Sequence, residues 1–91
     1  MAALAWPAKD PDEVLDYQLD WSARIADDKI VSSEWIVPDG LTKRIDRFSD
    51  TVTTVWLAGG DDDTTYHIVN RITTDVGRIM DQSVKLTNVE K

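Results

Sequence analysis

The stretch "VLDYQLDWS" (residues 14–22) sets apolar Leu15, Tyr17, Leu19 and Trp21 in strict alternation with Asp16, Gln18 and Asp20. A period of two suits a strand that buries one face and wets the other. The pattern returns at short intervals along the 91-residue chain. In "KIVSSEWIVPDG", Val31, Ser33, Trp35 and Val37 alternate with Ile30, Ser32, Glu34 and Ile36. "TVTTVWLAGG" is rich in β-branched residues, with Val55 and Leu57 on one face and Trp56 opposite. In "TTYHIVNRITT", Tyr66, Ile68, Asn70 and Ile72 share a face, and "RIMDQSVKLTNVE" does the same with Met80, Val84 and Leu86. "SARIADD" breaks the alternation and suits one helical turn.

Turn chemistry separates these runs. Pro38-Asp39-Gly40 combines a fixed φ with a residue tolerant of positive φ, and Asp75-Val76-Gly77 suits a short hairpin. Many short strands and no long helical period imply an all-β fold. The architecture expected is an immunoglobulin-like antiparallel β-sandwich of six or seven strands, spanning residues 13–91. A partly open small barrel is the competing architecture. Tyr66 stands where such sandwiches place a tyrosine corner. The core expected is Tyr17, Leu19, Trp21, Trp35, Val37, Val55, Leu57, Ile68, Ile72, Val84 and Leu86.

Residues 1–12 lack a period and hold Pro7 and Pro11, so they read as an extended N-terminal arm. Leu4, Trp6 and Pro7 on that arm are candidate partner-binding residues; folding back onto the domain's own core is the other reading. In "LTKRIDRFSD", Leu41, Ile45 and Phe48 miss a strict alternation, which predicts a bulge or an edge strand. Arg44 and Arg47 there are candidate contacts for a partner.

The acidic run Asp61-Asp62-Asp63 follows Gly59-Gly60. A calcium loop spaces its carboxylates at alternate positions and ends in a bidentate Glu, and neither feature is present, so the run reads as a solvated turn rather than a weak calcium site. His67 is the single histidine and the chain has no cysteine, so neither supplies a metal-ligand set. There is no G-x-S-x-G motif, no phosphate loop and no serine with a base at a recognisable spacing. A single small domain has little room for an enclosed active site. The chain is therefore expected to be no enzyme, with no cofactor and no metal. Asp27-Asp28 reads as a turn, and Arg71 is expected to pair across the sheet with Glu34 or Asp46. The formal charge of −7 lacks the basic footprint that nucleic acid requires, and favours basic protein surfaces instead. No segment has transmembrane length or the shape of a secretory leader, so no membrane partner is expected.

Three ordered segments carry a resemblance: "WPAKDPDEVLDYQLDWSARI" (Trp6 to Ile25), "IVSSEWIVPDGL" (Ile30 to Leu41) and "TVWLAGGDDDTTYHIVNRITTDVGR" (Thr54 to Arg78). Together they resemble the small phage and prophage proteins of the fibre–tail adaptor family, over nearly the whole chain. The resemblance implies an Ig-like virion structural protein, made in the host cytoplasm and resident in the tail or neck of the particle. It would link tail or neck to fibres by protein–protein contacts. Its partners would be other virion proteins and copies of itself in a ring or array. The resemblance supplies no catalytic residue. The chain departs from the family's pattern at Asp61 to Asp63, where a more neutral loop is expected, and at Asp75-Val76-Gly77, where a plainer Gly-rich hairpin is expected. Two other roles remain open: a head or neck decoration or connector subunit, and a carbohydrate-binding sandwich with Trp6, Trp35 or Trp56 as its sugar platform.

Overall fold

In the computed structural model, which describes residues 4–90, seven strands and one helical turn follow in the order β1 (Leu4–Ala5), β2 (Leu15–Asp20), α1 (Ser22–Ile25), β3 (Ile30–Ile36), β4 (Leu41–Phe48), β5 (Val52–Gly59), β6 (Thr64–Thr74) and β7 (Ile79–Asn88). They form two sheets, β1-β7-β6-β3 and β2-β5-β4, stacked as a sandwich. All pairings are antiparallel except that of β1 with β7, which is parallel. The first strand thus joins the sheet opposite to that of its successor in sequence, as in immunoglobulin-like sandwiches whose first strand runs beside the last.

Strand alternation places the core. Leu19, Trp21, Val55, Leu57, Ile68, Ile72, Val84 and Leu86 are buried between the sheets, together with Tyr17 and Trp35. Val37 is only half-buried, because it lies past the end of β3 in the connection to β4. Ile25, Ile30, Leu41 and Tyr66 complete the core. Ile30 is inward and Val31 outward because the register of β3 on β6 shifts between Ile30 and Ser32. That irregularity reverses the alternation read from sequence at this end of the strand.

The polar residues inside have defined roles. Asn70 on β6 is fully buried. Its Oδ1 accepts from the Trp21 indole Nε1 (3.1 Å) and from Thr53 Oγ1 (2.7 Å), while its Nδ2 donates to Ser33 Oγ and the Glu34 carbonyl, both at 3.0 Å. Trp21 and Thr53 belong to the β2-β5-β4 side, whereas Ser33 and Glu34 belong to β3. One amide therefore ties the two sheets together and satisfies its own donors and acceptor.

The tyrosine corner is present. Tyr66 Oη accepts the Asp61 backbone N–H at 2.8 Å, which fixes the turn between β5 and β6. Asp61 to Asp63 lie in that turn and are exposed, and Asp62 Oδ1 accepts the Glu90 backbone N–H at 2.7 Å. Gly60 has φ +91°, and a Cβ added there would collide with the Asn88 amide and come within 3.2 Å of the Tyr66 ring. Gly77 has φ +93°, with open space around the missing Cβ. Gly60→Ala is therefore expected to lower the melting temperature more than Gly77→Ala. Backbone strain of about 1–3 kcal/mol is common to both, and the steric clash belongs to Gly60 alone. Equal losses in thermal unfolding would show that Asn88 moves aside at no cost.

Asp28 lies in the connection from α1, just before β3 begins, and anchors the β6–β7 hairpin. Its carboxylate accepts the Lys29 N–H at 2.8 Å and lies 3.4 Å from both the Val76 N–H and the Arg78 guanidinium. The Thr74 hydroxyl, followed by these neighbours, holds its pKa below the ordinary carboxylate value. Arg71 pairs with Asp81 of the adjacent β7, with nitrogen–oxygen distances of 2.9 and 3.1 Å, rather than with Glu34 or Asp46. Asp81 faces it directly in the β6–β7 register.

Candidate protein-docking surfaces

The stretch read as an arm is extended from Leu4 onward but seated on the sandwich; residues 1–3 of it lie outside the described residues. Beyond the β1 pairing, the Trp6 N–H donates to the Lys85 carbonyl and the Lys9 N–H to the Thr87 carbonyl, both at 3.0 Å. The Val89 N–H returns to the Lys9 carbonyl at 2.8 Å. Lys9 is fully buried, and its ammonium donates to the Gly59 carbonyl (2.6 Å) and the Asp10 carbonyl (2.8 Å). Desolvation lowers its pKa, against the opposing pull of Asp10, Glu13 and Asp12. Gly59 ends β5 in the other sheet, so Lys9 fastens the N-terminal segment across the sandwich.

Trp6 is half-buried. It stacks on Tyr17 with ring centroids 4.6 Å apart and tilts toward Trp35 at 5.9 Å. Here the edge strand of one sheet, β1, faces the edge strand of the other, β2, and a cleft runs between them. Trp6 borders both of its parts. One, of about 370 Å³, is bounded by Leu4, Gln18, Leu19 and Arg24; the other, of about 550 Å³, by Pro7, Leu15, Asp16 and Tyr17. Leu4 pairs in register with inward-facing Val84 but is 51% exposed, because the seam is open at this edge.

Two of the three clustered rings bury a polar atom without a hydrogen-bond partner among the described residues, Tyr17 Oη and Trp35 Nε1. Burial, with the carboxylates of Glu13 and Asp16 adding to it, pushes the Tyr17 hydroxyl up to about 12. The unfolded chain gives up this proton near its ordinary value of about 10. The stabilising contribution is thus complete below about pH 10 and is lost as pH rises through the folded value. Tyr17→Phe is expected to remove that alkaline loss and to change stability little near neutrality. Denaturant melts taken from about pH 9 upward would test it, and parallel curves for the two proteins would contradict it.

Arg44 and Arg47 lie on β4, at the opposite edge of the three-stranded sheet. The register of β4 on β5 shifts between Lys43 and Ile45, which leaves Arg44 in a bulge. The Arg47 guanidinium lies 5.3 Å from the centroid of the half-buried Trp56 ring. Ile45 pairs with Trp56 across the strands and is 54% exposed. The outer face of this sheet therefore carries an apolar and cationic patch of Ile45, Trp56 and Arg47. The two groups of candidate residues do not meet: Leu4, Trp6 and Pro7 border the β1–β2 seam, and Arg44 and Arg47 lie on β4. Alternation put Trp56 opposite the core residues of its strand, but its pairing with Ile45 required the bulged register.

Trp21 and Trp35 are buried, so Trp35 presents no face for a sugar platform. No group of three or more potential metal ligands gathers among the described residues, and His67 is exposed on its strand. No helix among them is long and apolar enough to cross a membrane.

A family model described as "Podophage GP4 fiber-tail adaptor protein gp77" matches residues 9–87. Among solved structures, the chain is similar to the solution structure of the PKD domain from KIAA 1837 protein. The sequence identity is 24% and the TM-score 0.55, over 98% of this chain and 79% of that one. At that identity the likeness speaks to the fold alone. No curated protein matches the chain.

Proposed function

Because the chain belongs to the podophage fiber-tail adaptor family, whose model spans nearly all of its sandwich, we propose that it joins the tail or neck of the particle to its fibres by protein–protein contact. A structural role in the phage tail is the family's common ground. The link to fibres, and a ring or array of copies around the tail, are the finer reading. The observation that carries it is the patch of exposed Ile45 and Arg47 around half-buried Trp56, which lies within the matched residues. Tryptophan and arginine are frequent anchors of protein interfaces. Arg44 beside the patch adds charge suited to an acidic partner surface. Leu4, Trp6 and Pro7 precede the matched residues and offer a second contact, at the β1–β2 seam. The protein is read as non-enzymatic and as binding neither nucleic acid nor membrane.

Density of the assembled virion tests the reading: the chain should occupy the tail or neck beside the fibre base. Arg44→Glu/Arg47→Glu chains should still enter the tail but leave particles short of fibres. Point substitution is preferable to truncation, because residues 4–9 are hydrogen-bonded into the fold. Finding the chain on the capsid instead would favour a decoration subunit.

A further inference from the structure

We infer that β2 is an acceptor edge: an extended segment of a partner protein, with alternating apolar and basic residues, adds to it as a further strand of the β2-β5-β4 sheet. The inference rests on the adaptor reading and names the chemistry of one partner. Four observations lead to it. Among the described residues β2 is an edge strand, hydrogen-bonded to β5 alone, and its register runs without a shift from Leu15 to Asp20. The opposite edge, β4, carries the devices that block strand addition, namely a bulge and the Lys43–Asp46 ion pair at 3.1 Å, whereas β2 carries no bulge, proline or lysine. The cleft between β1 and β2 runs beside the strand and has apolar walls in Leu4, Trp6, Leu15 and Leu19. The Tyr17 hydroxyl, on a side chain more than nine-tenths buried at this cleft, has no hydrogen-bond partner among the described residues.

Charge selects the occupant. Inward residues of an added strand would enter the cleft, and outward residues would lie beside Asp16, Gln18 and Asp20. Glu13 lies close enough to Tyr17 to act on its titration, so the cleft is acidic at that end. Among the described residues Arg24 is the cation bordering the cleft, and its guanidinium already donates to the Asp81 carbonyl and Gln82 Oε1 and stacks over Trp21. Two β2 edges from two copies would bring carboxylates together, which disfavours self-pairing here. A basic strand gains the same positions as attraction. Main-chain hydrogen bonds would supply affinity, and the alternating side chains specificity.

The test uses the full chain and a synthetic peptide of roughly ten residues that alternates lysine with valine and threonine, the length of a long strand. The expected result is saturable binding, with amide exchange slowed over Leu15–Asp20. The same peptide N-methylated at every residue of its central stretch keeps its charge but has lost the N–H donors of both edges and cannot form the ladder, and is expected not to bind. Asp16→Lys/Asp20→Lys is expected to weaken binding about tenfold, from two reversed cross-strand pairs. Binding of the methylated peptide at equal strength, or protection on β4, would overturn the inference. So would β2 amides already protected in the free chain, which would mean that its own N-terminal segment covers the edge. In virions, Asp16→Lys/Asp20→Lys chains found in tails that lack fibres support the inference. The same chains in tails with normal fibres defeat it and leave the adaptor role standing. Absence of the wild-type chain from the tail would defeat the adaptor role itself, whatever the peptide does.

Discussion

Replacing Asn70 by Ala is expected to destabilise the domain by about 3–5 kcal/mol, a large share of the roughly 5–15 kcal/mol that holds such a domain folded. The side chain joins Trp21 and Thr53 of one sheet to Ser33 and Glu34 of the other through four hydrogen bonds. Truncation leaves the indole N–H and the threonine hydroxyl sharing only each other at 3.2 Å. It also opens a gap in a fully buried position. An orphaned buried donor or acceptor costs about 1–3 kcal/mol, and more than one is created here. Guanidinium unfolding of the two proteins measures the difference. A loss below about 1 kcal/mol would mean that water enters and replaces the amide.

Trp35→Ala is expected to cost about 3–5 kcal/mol, because the ring is 6% exposed and abuts Trp6 at the cleft. The conservative variants separate packing from polarity. Trp35→Phe should cost only about 1–2 kcal/mol, since the indole Nε1 has no partner among the described residues and its removal relieves an unsatisfied group. Trp21→Phe should cost more than Trp35→Phe, since the Trp21 Nε1 donates to both Asn70 and Thr53. Equal costs for the two phenylalanine variants in the same unfolding experiment would show that the Asn70 network contributes nothing through Trp21.

The core of this fold was legible because strand alternation is local. Tyr17, Leu19 and Trp21, or Ile68 and Ile72, declare their shared face within a few residues of chain. Asn70 was visible on the inward face of β6, and Tyr66 at its corner position, for the same reason. Ile25 was not, because one helical turn carries too few residues to show a period. Ile30 and Val31 exchanged places at an irregularity that no short-range pattern marks. Arg71 met Asp81 because two strands adjacent in sequence are also paired in space. Of the docking surfaces, the bulged and charged character of β4 was legible. Its patch with Trp56 and the open edge of β2 were not.

By itself, the sequence determined the all-β class, the turns at Pro38-Asp39-Gly40, Asp61 to Asp63 and Asp75-Val76-Gly77, and most of the residues that face inward. These follow from backbone geometry and side-chain period, which act over a few residues. Only the tertiary structure decided that the N-terminal segment from Leu4 lies parallel to β7, that Lys9 reaches across the sandwich to Gly59, and that β2 stands at the edge of its sheet among the described residues. These choices are made by hydrogen bonds and packing between segments dozens of residues apart. They depend on which edges remain unpaired once the core has closed, and a period of two is the same on an inner strand as on an edge.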